Sequence, residues 1–263
     1  MAQYATLPHI LLIGSTGRTG RLALVEALSR NYTVTALARN PTSLDTLINE
    51  QITTTQRSQV HTVRGDATSE SDVKAALKDT LDHAQGKQIV IVSTLGQTRK
   101  SGNPWSAATS PPMFMTKAAE ALVAAIASLP ADKKSKLERL IVMSMFGAGT
   151  SFDNLHCLLK PVMNYSNMLQ TVEDHDGVDA VVRAQREVKW VMVRPSMLKE
   201  GEKMPVKSRA PNFRVSNSVE AAEGSPRDMV VSSGVLLEEV ERRLKKDAMF
   251  GSGRRYAVSR RYM

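Results

Sequence analysis

At 263 residues and 42% hydrophobic content the chain can fill one large core, or one core with a small lobe, and its 23% charged residues exclude compositional disorder. A single cysteine, Cys157, excludes an intramolecular disulfide, no Cys or His group has structural-zinc spacing, and no apolar run is long enough for a membrane span. The start, MAQYATLPHILLIG, has neither a basic leader region nor a cleavage site, so a soluble, reducing, cytoplasmic setting is expected. The net charge of +9 sits largely in ERRLKK and in 251–263, without an aromatic stacking platform, and reads as a solvated basic surface.

Along the chain, short apolar runs alternate with amphipathic segments. Strands are expected at 10–13, 32–38, 60–66, 88–96, 137–147 and 188–198, the last ending at Pro195. Helices are expected at 18–29, 69–79 and 113–129, and two more at about 153–170 and 172–186. Ser69 has the character of an N-cap, with Asp72 three residues on as an acidic analogue of a capping box. The stretches 51–59 and 98–112 read as surface loops, the second following a strand end where it can flank a ligand. Segment 199–218 is polar, Pro-containing and aperiodic, long for a plain connection and suited to a lid or binding loop. A further helix is expected at 225–244, capped by Ser225 with Pro226 at its first position. The alternation predicts an α/β, Rossmann-type, doubly wound parallel sheet. It would form one domain over 1–263, with a core at 8–198 and a small C-terminal lid or substrate region at about 199–263.

The first strand-to-helix turn reads IGSTGRTG, with Gly14, Gly17 and Gly20 in a Gly-x-x-Gly-x-x-Gly pattern. Gly14 suits a tight turn, Gly17 lets backbone approach a pyrophosphate, and Gly20 lets the helix approach the sheet. The loop amides of Ser15, Thr16, Arg18 and Thr19 and the helix dipole favour an anion there. A glycine turn without a ligand is the alternative. NAD enzymes carry an acidic residue at the end of the second strand for the ribose hydroxyls; here that end carries Arg39 and Asn40. The guanidinium fork suits a 2′-phosphate, so NADP(H) is expected over NAD(H), unless Arg39 is simply a solvated charge. Arg18 can approach the same phosphate. Asp66 and Ala67 end the third strand, where a carboxylate can accept from an adenine amino group or cap the next helix. Thr94, Leu95 and Gly96 end the fourth, beside the expected ribose.

The blocks HILLIGSTGRTG, TALARNPTSL, RGDAT, STLGQTR, LIVMSMFGAG and VKWVMVRPSML, in this order, resemble the atypical short-chain dehydrogenase/reductase superfamily, over about residues 8 to 198. Within it they resemble the NAD(P)H-binding group that includes biliverdin-IX-beta reductase/flavin reductase and NmrA-like proteins. The resemblance implies an NADP(H) cofactor, a Rossmann core and a monomer or homodimer. It carries Gly14, Gly17 and Gly20 to the pyrophosphate, Arg39 to the 2′-phosphate, Asp66 and Ala67 to the adenine, and Thr94 to Gly96 to the ribose side. The Tyr-x-x-x-Lys pair of short-chain dehydrogenases is missing, because Tyr165 is followed four residues later by Leu169. Ser144 falls on the first position of the family's Ser-Ser and Met145 on the second, the usual catalytic one. Segment EDHDGV (173–178) matches one beside the active site in these relatives, which makes His175 a candidate proton donor or substrate contact, against the alternative of an exposed helix-start histidine. Tyr165 reads as a half-buried helix aromatic, Trp105 as a pocket or packing residue, and Met143, Met145, Met163 and Met168 as core filling.

Two functions follow. One is an NADPH-dependent reductase passing hydride to a small carbonyl, flavin or conjugated substrate, with Ser144 and His175 as candidate catalytic residues. The other is a non-enzymatic NADP(H)-binding redox sensor of the NmrA-like kind, with 199–218 as a possible partner surface. Nothing in the sequence reads nucleic-acid bases, and no metal site is expected.

Overall fold

The computed structural model describes residues 7–195 and 218–221. The expected strand segments become β1 (His9–Ile13), β2 (Thr33–Ala38), β3 (Val60–Arg64), β4 (Ile89–Ser93), β5 (Leu137–Met143) and β6 (Trp190–Val193). A seventh, β7 (Ser218–Ala221), extends the sheet to the order β3-β2-β1-β4-β5-β6-β7. Every pairing is parallel. The chain winds outward from β1 to β3, returns beside β1 as β4, and winds outward again, so the order reverses between β1 and β4. In such sheets ligands bind beyond the carboxyl ends of the strands at that reversal.

Residues alternate between the two faces of the central strands. Ile10, Leu12, Val90, Val92 and Ile141 pack on the side of helix α1 (Arg18–Ser29), with its Leu24, Ala27 and Leu28. Leu11, Ile13, Ile91, Leu140 and Val142 pack on the side of helices α4 (Glu70–His83), α5 (Phe114–Ala127) and α8 (Leu169–Ala184). With both faces covered, β1 and β4 need no polar face, which is why they read as continuous apolar runs.

Several boundaries differ from expectation. No single helix runs from 153 to 170: a 3-10 turn (Gly149–Asn154) is followed by the separate helix α7 (Leu159–Tyr165). Pro161 has no N–H to give and its ring would clash with the carbonyl four residues back, so it is tolerated only in a first helical turn. β6 stops at Val193 rather than reaching 198. After β2 the chain forms α2 (Pro41–Gln51), where the sequence reading had no helix. Within the supposed loop 51–59 lies the short helix α3 (Thr54–Arg57), closed by a reciprocal capping box between Thr53 and Gln56. The short helix α6 (Ala131–Lys134) precedes β5. Ser69 does cap α4, accepting from the Asp72 N–H at 3.3 Å, but the Asp72 carboxylate accepts from the Asp66 N–H at 2.8 Å instead of closing a box. β7 lies in and just past the polar segment 199–218, where no strand was expected. The helix expected at 225–244, and all of the expected lid except β7, lie outside the described residues.

Candidate functional site: a dinucleotide cleft at the carboxyl ends of the strands

The glycine loop joins β1 to α1. Gly14 has φ +88°, a left-handed conformation that favours glycine, and a Cβ there would lie 2.9 Å from Thr94 Oγ1. A Cβ on Gly20 would lie 2.0 Å from the Gly14 carbonyl oxygen, so only glycine lets α1 pack against the turn. The Gly17 N–H donates to the Gly14 carbonyl at 3.0 Å, and Gly17 then serves as the N-cap of α1 with no side-chain cap. The N-cap therefore offers no side chain to the first turn of α1, whose N–H groups stand where the helix dipole favours negative charge. Thr16, Gly17 and Arg18 are exposed and Thr19 half-buried along this rim. Ser15 is buried, and its hydroxyl has no hydrogen-bond partner among the described residues. An uncapped helix start, glycines with no room for a Cβ and an orphaned hydroxyl together fit a pyrophosphate.

The neighbouring strand ends complete the cleft. Arg39, just past β2, is exposed, with its guanidinium carbon 6.0 Å from the centroid of the Phe114 ring at the start of α5. Asn40 turns its side-chain carbonyl back on the Thr42 N–H at 3.1 Å, which holds the start of α2. Asp66 accepts from the N–H and the hydroxyl of Thr68, both at 2.8 Å. Its carboxyl is held below the usual range chiefly by the Thr68 N–H, with the Thr68 hydroxyl and the charge of Arg39 adding to this against some desolvation. One oxygen of Asp66 is thus committed to the turn before α4, while Ser69 caps the helix itself. Ala67 is buried beside it. Thr94 is buried, and its hydroxyl donates to the carbonyls of Ile13 at 3.1 Å and Gly14 at 3.2 Å. It therefore latches the glycine loop to β4, a role the sequence did not reveal. Leu95 is half-buried and Gly96 exposed, with nothing within 4 Å of a Cβ built on it.

The other two candidates meet on the far side of the reversal. Ser144, just after β5, is buried, with its hydroxyl 3.4 Å from His175 Nδ1, a long contact. His175 lies inside α8, not at an exposed helix start, and is 6% exposed. Burial lowers its pKa to about 4, and the nearby Arg194 charge adds to the effect while Asp174 opposes it.

The segment around His175 also holds buried polar residues that the sequence reading missed. Asp174 is fully buried; its Oδ1 accepts from the N–H and hydroxyl of Thr116, both at 2.8 Å, and its Oδ2 accepts from the Met115 N–H at 3.1 Å and from Gln97 at 3.2 Å. It caps α5 from a neighbouring helix, where α5's own N-cap, Met113, offers no side-chain bond. Asp176 accepts from the Gly149 N–H at 2.6 Å. A Cβ on Gly177 would lie 2.2 Å from Thr116 Oγ1, so this glycine sets the close approach of α8 to α5. Asp179 pairs with Arg183 at 2.7 Å and with Arg194, which is 2% exposed. Burial pulls the Arg194 pKa below its ordinary value, against the opposing pull of Asp179. A signal existed: Asp174, His175 and Asp179 stand three or four residues from Val178 or Val182, and so share their buried face.

Other expectations need correction. Tyr165, at the end of α7, is 85% exposed rather than half-buried, because α7 buries none of its residues. Trp105 is 63% exposed. Met143, Met145, Met163 and Met168 are half-buried rather than core. Loop 98–112 is at the surface as expected, and Arg99 ties it down through the carbonyls of Pro104, Ser106 and Asn167 and the Thr171 hydroxyl. Beneath the site, Leu95, Met115, Ala118, Val142, Met143 and Val178 line an apolar cavity of about 20 Å³. That is room for about one water and not for a substrate.

A reversal point with an uncapped, glycine-lined helix start defines a dinucleotide-binding protein of the doubly wound class. The chain belongs to the NAD(P)H-binding family, whose model matches residues 14–228. It is 27% identical over 207 residues to reductase pytE of Aspergillus terreus, covering 74% of this chain and 78% of that one. Its fold is similar to that of ChuY, an anaerobillin reductase from Escherichia coli O157:H7, with a TM-score of 0.54 at 19% identity over 91% of this chain and 89% of that chain. It is also similar to the oxidoreductase ylbE of Lactococcus lactis, with a TM-score of 0.54 at 14% identity over 89% and 97% of the two chains. Among the described residues no helix is long and apolar enough to cross a membrane.

Proposed function

We propose that this chain is an NADPH-dependent oxidoreductase that passes hydride to a small carbonyl, flavin or conjugated acceptor. The observation that carries the reading is the end of β2. Arg39 stands exposed there with no carboxylate at the same position, and Asn40 is turned to the backbone. A fixed guanidinium fork recognises a 2′-phosphate, whereas a carboxylate would repel one. The amides of Ser15 to Gly20 would hold the pyrophosphate, and Arg18 would approach the same 2′-phosphate as Arg39. Asp66 and Ala67 flank the adenine, with the Asp66 oxygen not used by Thr68 free to accept from an amino group. Leu95 and Gly96 border the ribose.

The bound cofactor supplies the hydride. The chain's own part is to position the acceptor and govern the proton. His175, with its pKa lowered to about 4 by burial, is neutral near pH 7, so it is a hydrogen-bond partner that orients the Ser144 hydroxyl and not a charged acid. Ser144 Oγ would donate a hydrogen bond to the acceptor oxygen, and the one proton that the reduction consumes would reach that oxygen from solvent through this hydroxyl, which keeps its own proton count unchanged. Tyr165 has no part, being 85% exposed with Leu169 where a pKa-lowering lysine would stand.

The test is NADPH and NADH oxidation against a panel of quinones, flavins and carbonyls, together with binding of both cofactors to Arg39→Asp. Turnover with NADPH is expected, and the variant should lose about 10- to 100-fold in NADPH affinity with little change for NADH. Tight NADPH binding with no turnover on any acceptor would overturn the catalytic reading. Equal loss for both cofactors would overturn the reading of Arg39.

A second reading, a cofactor-dependent sensor of the NmrA-like kind, is favoured by one observation: both polar candidates beside the site, Ser144 and His175, are buried and face each other. Pull-downs with and without NADP⁺ decide it; a partner set indifferent to the cofactor would reject it.

A further inference from the structure

Three of the chain's five histidines gather at the end of the sheet opposite the dinucleotide cleft. His9 opens β1 and is closed off: its two ring nitrogens each lie 2.8 Å from a threonine hydroxyl, those of Thr33 and Thr35. The other two are differently placed. His61, the second residue of edge strand β3, brings Nε2 to 2.9 Å from Asp79 Oδ2. His83, the last residue of α4 and one turn beyond Asp79, brings Nδ1 to 2.9 Å from the Asp79 backbone carbonyl oxygen and to 3.3 Å from the same carboxylate oxygen. The two imidazoles stack at 3.9 Å with 15° between their planes. One nitrogen from each histidine and one carboxylate oxygen all lie within 4.8 Å of one another.

We propose that His61, Asp79 and His83 form a binding site for a borderline divalent transition-metal ion such as Zn²⁺, with the outer position open to water. Spacing is the first reason. Nitrogen and oxygen donors bound at about 2.0–2.1 Å around a tetrahedral ion stand about 3.3 Å apart, close to the two donor separations at Asp79 Oδ2. The oxygen itself is the second. Asp79 Oδ2 is shielded from solvent and accepts no aligned hydrogen bond among the described residues, although two ring nitrogens crowd it. A buried carboxylate oxygen left in that state is costly, and a cation satisfies it. Donor chemistry is the third: two neutral imidazoles and one carboxylate suit zinc or copper and not calcium or magnesium. The half-exposed rings turn about a soft torsion, so His83 can exchange the contact of its Nδ1 with the Asp79 carbonyl for an ion shared with His61 and Asp79 Oδ2. Bound metal would tie the outermost described strand of the β3 side to the end of α4.

The experiment uses full-length protein with any affinity tag removed, titrated with ZnCl₂ calorimetrically and with CoCl₂ by visible absorption. One saturable ion per chain is expected, with the intense cobalt bands of four-coordination and a rise in melting temperature with zinc. His61→Asn, Asp79→Asn and His83→Gln should each weaken binding by at least about tenfold. The pair His156→Ala and Cys157→Ser, which removes the other exposed sulfur–imidazole group, should leave it unchanged, as should saturation with NADPH. Absence of saturable binding to the wild-type chain overturns the proposal. So does binding that survives in the folded double variant His61→Asn/His83→Gln, or that is lost with His156 and Cys157.

Discussion

The glycine loop after β1 and the middle of α8 beside β5 face the same end of the sheet, but they are built from different chemistry. The loop works through backbone: Gly14 in a left-handed turn, Gly20 without room for a Cβ, and N–H groups at an uncapped helix start. The α8 region works through buried charge: Asp174 capping α5, His175 against Ser144, and Asp179 against Arg183 and Arg194. One leaves polar groups open toward a ligand, and the other closes nearly every polar group on a protein partner. The first is built to bind and the second to hold two helices and a strand end in register.

That contrast is sharpest at Asp179. Arg194 is among the most deeply buried large side chains, and truncating Asp179 takes a carboxylate away from a charge inside the protein. Asp179→Ala should cost about 3–5 kcal/mol in denaturant unfolding, while the fraction that folds keeps its NADPH affinity. The double variant Asp179→Leu/Arg194→Met should recover most of the loss, because it removes both charges. An affinity loss in the folded single variant would break the division between a binding half and a holding half.

Acid pH separates the regions more gently. His9 and His175 both have pKa values lowered to about 4, chiefly by burial, against about 6.5 unfolded. Between those values the unfolded chain binds more protons than the folded one, so stability is full above about pH 6.5 and falls as pH drops toward 4. Each histidine contributes on the order of 3 kcal/mol across that window. In unfolding titrations at a series of pH values, His175→Gln should flatten about half of the slope and leave the part due to His9, at the other end of the sheet. A slope unchanged by the substitution would mean that His175 is protonated in the folded protein.

The same division explains what could be read beforehand. Gly14 and Gly20 declare themselves because a local backbone need shows in a few consecutive residues. Strands β1, β4, β5 and β6 were legible for the same reason, each holding a run of apolar residues, whereas β2 (TVTALA) and β3 (VHTVR) mix valine with polar residues and were legible from their place in the alternation. The helix break after 154 is legible only through Pro161. Asp174 and Asp179 were not legible as caps and pair partners, because those partners lie 58 and 15 residues away in sequence, and only the packing of α8 on α5 and β6 brings them together. The histidine cluster is invisible along the chain for that reason too, because His61 comes from a strand and Asp79 and His83 from a helix.

Thr94 sits on the border between the two kinds of construction and gives the finest test. From the sequence it is a ribose-side residue; in the structure its hydroxyl is turned inward to the Ile13 and Gly14 carbonyls. Both carbonyls have other donors. The Thr94 N–H reaches Ile13 at 2.9 Å and the Gly17 N–H reaches Gly14 at 3.0 Å. Thr94→Val keeps the shape and removes only the shared hydroxyl bond, so the cost should be about 1 kcal/mol or less. Because the lost bond holds the loop and does not touch the ligand, NADPH affinity should fall by no more than that same small free energy. A loss of about tenfold or more in affinity with unchanged stability would mean that the hydroxyl turns outward when the cofactor binds, and that the latch is also a ligand contact.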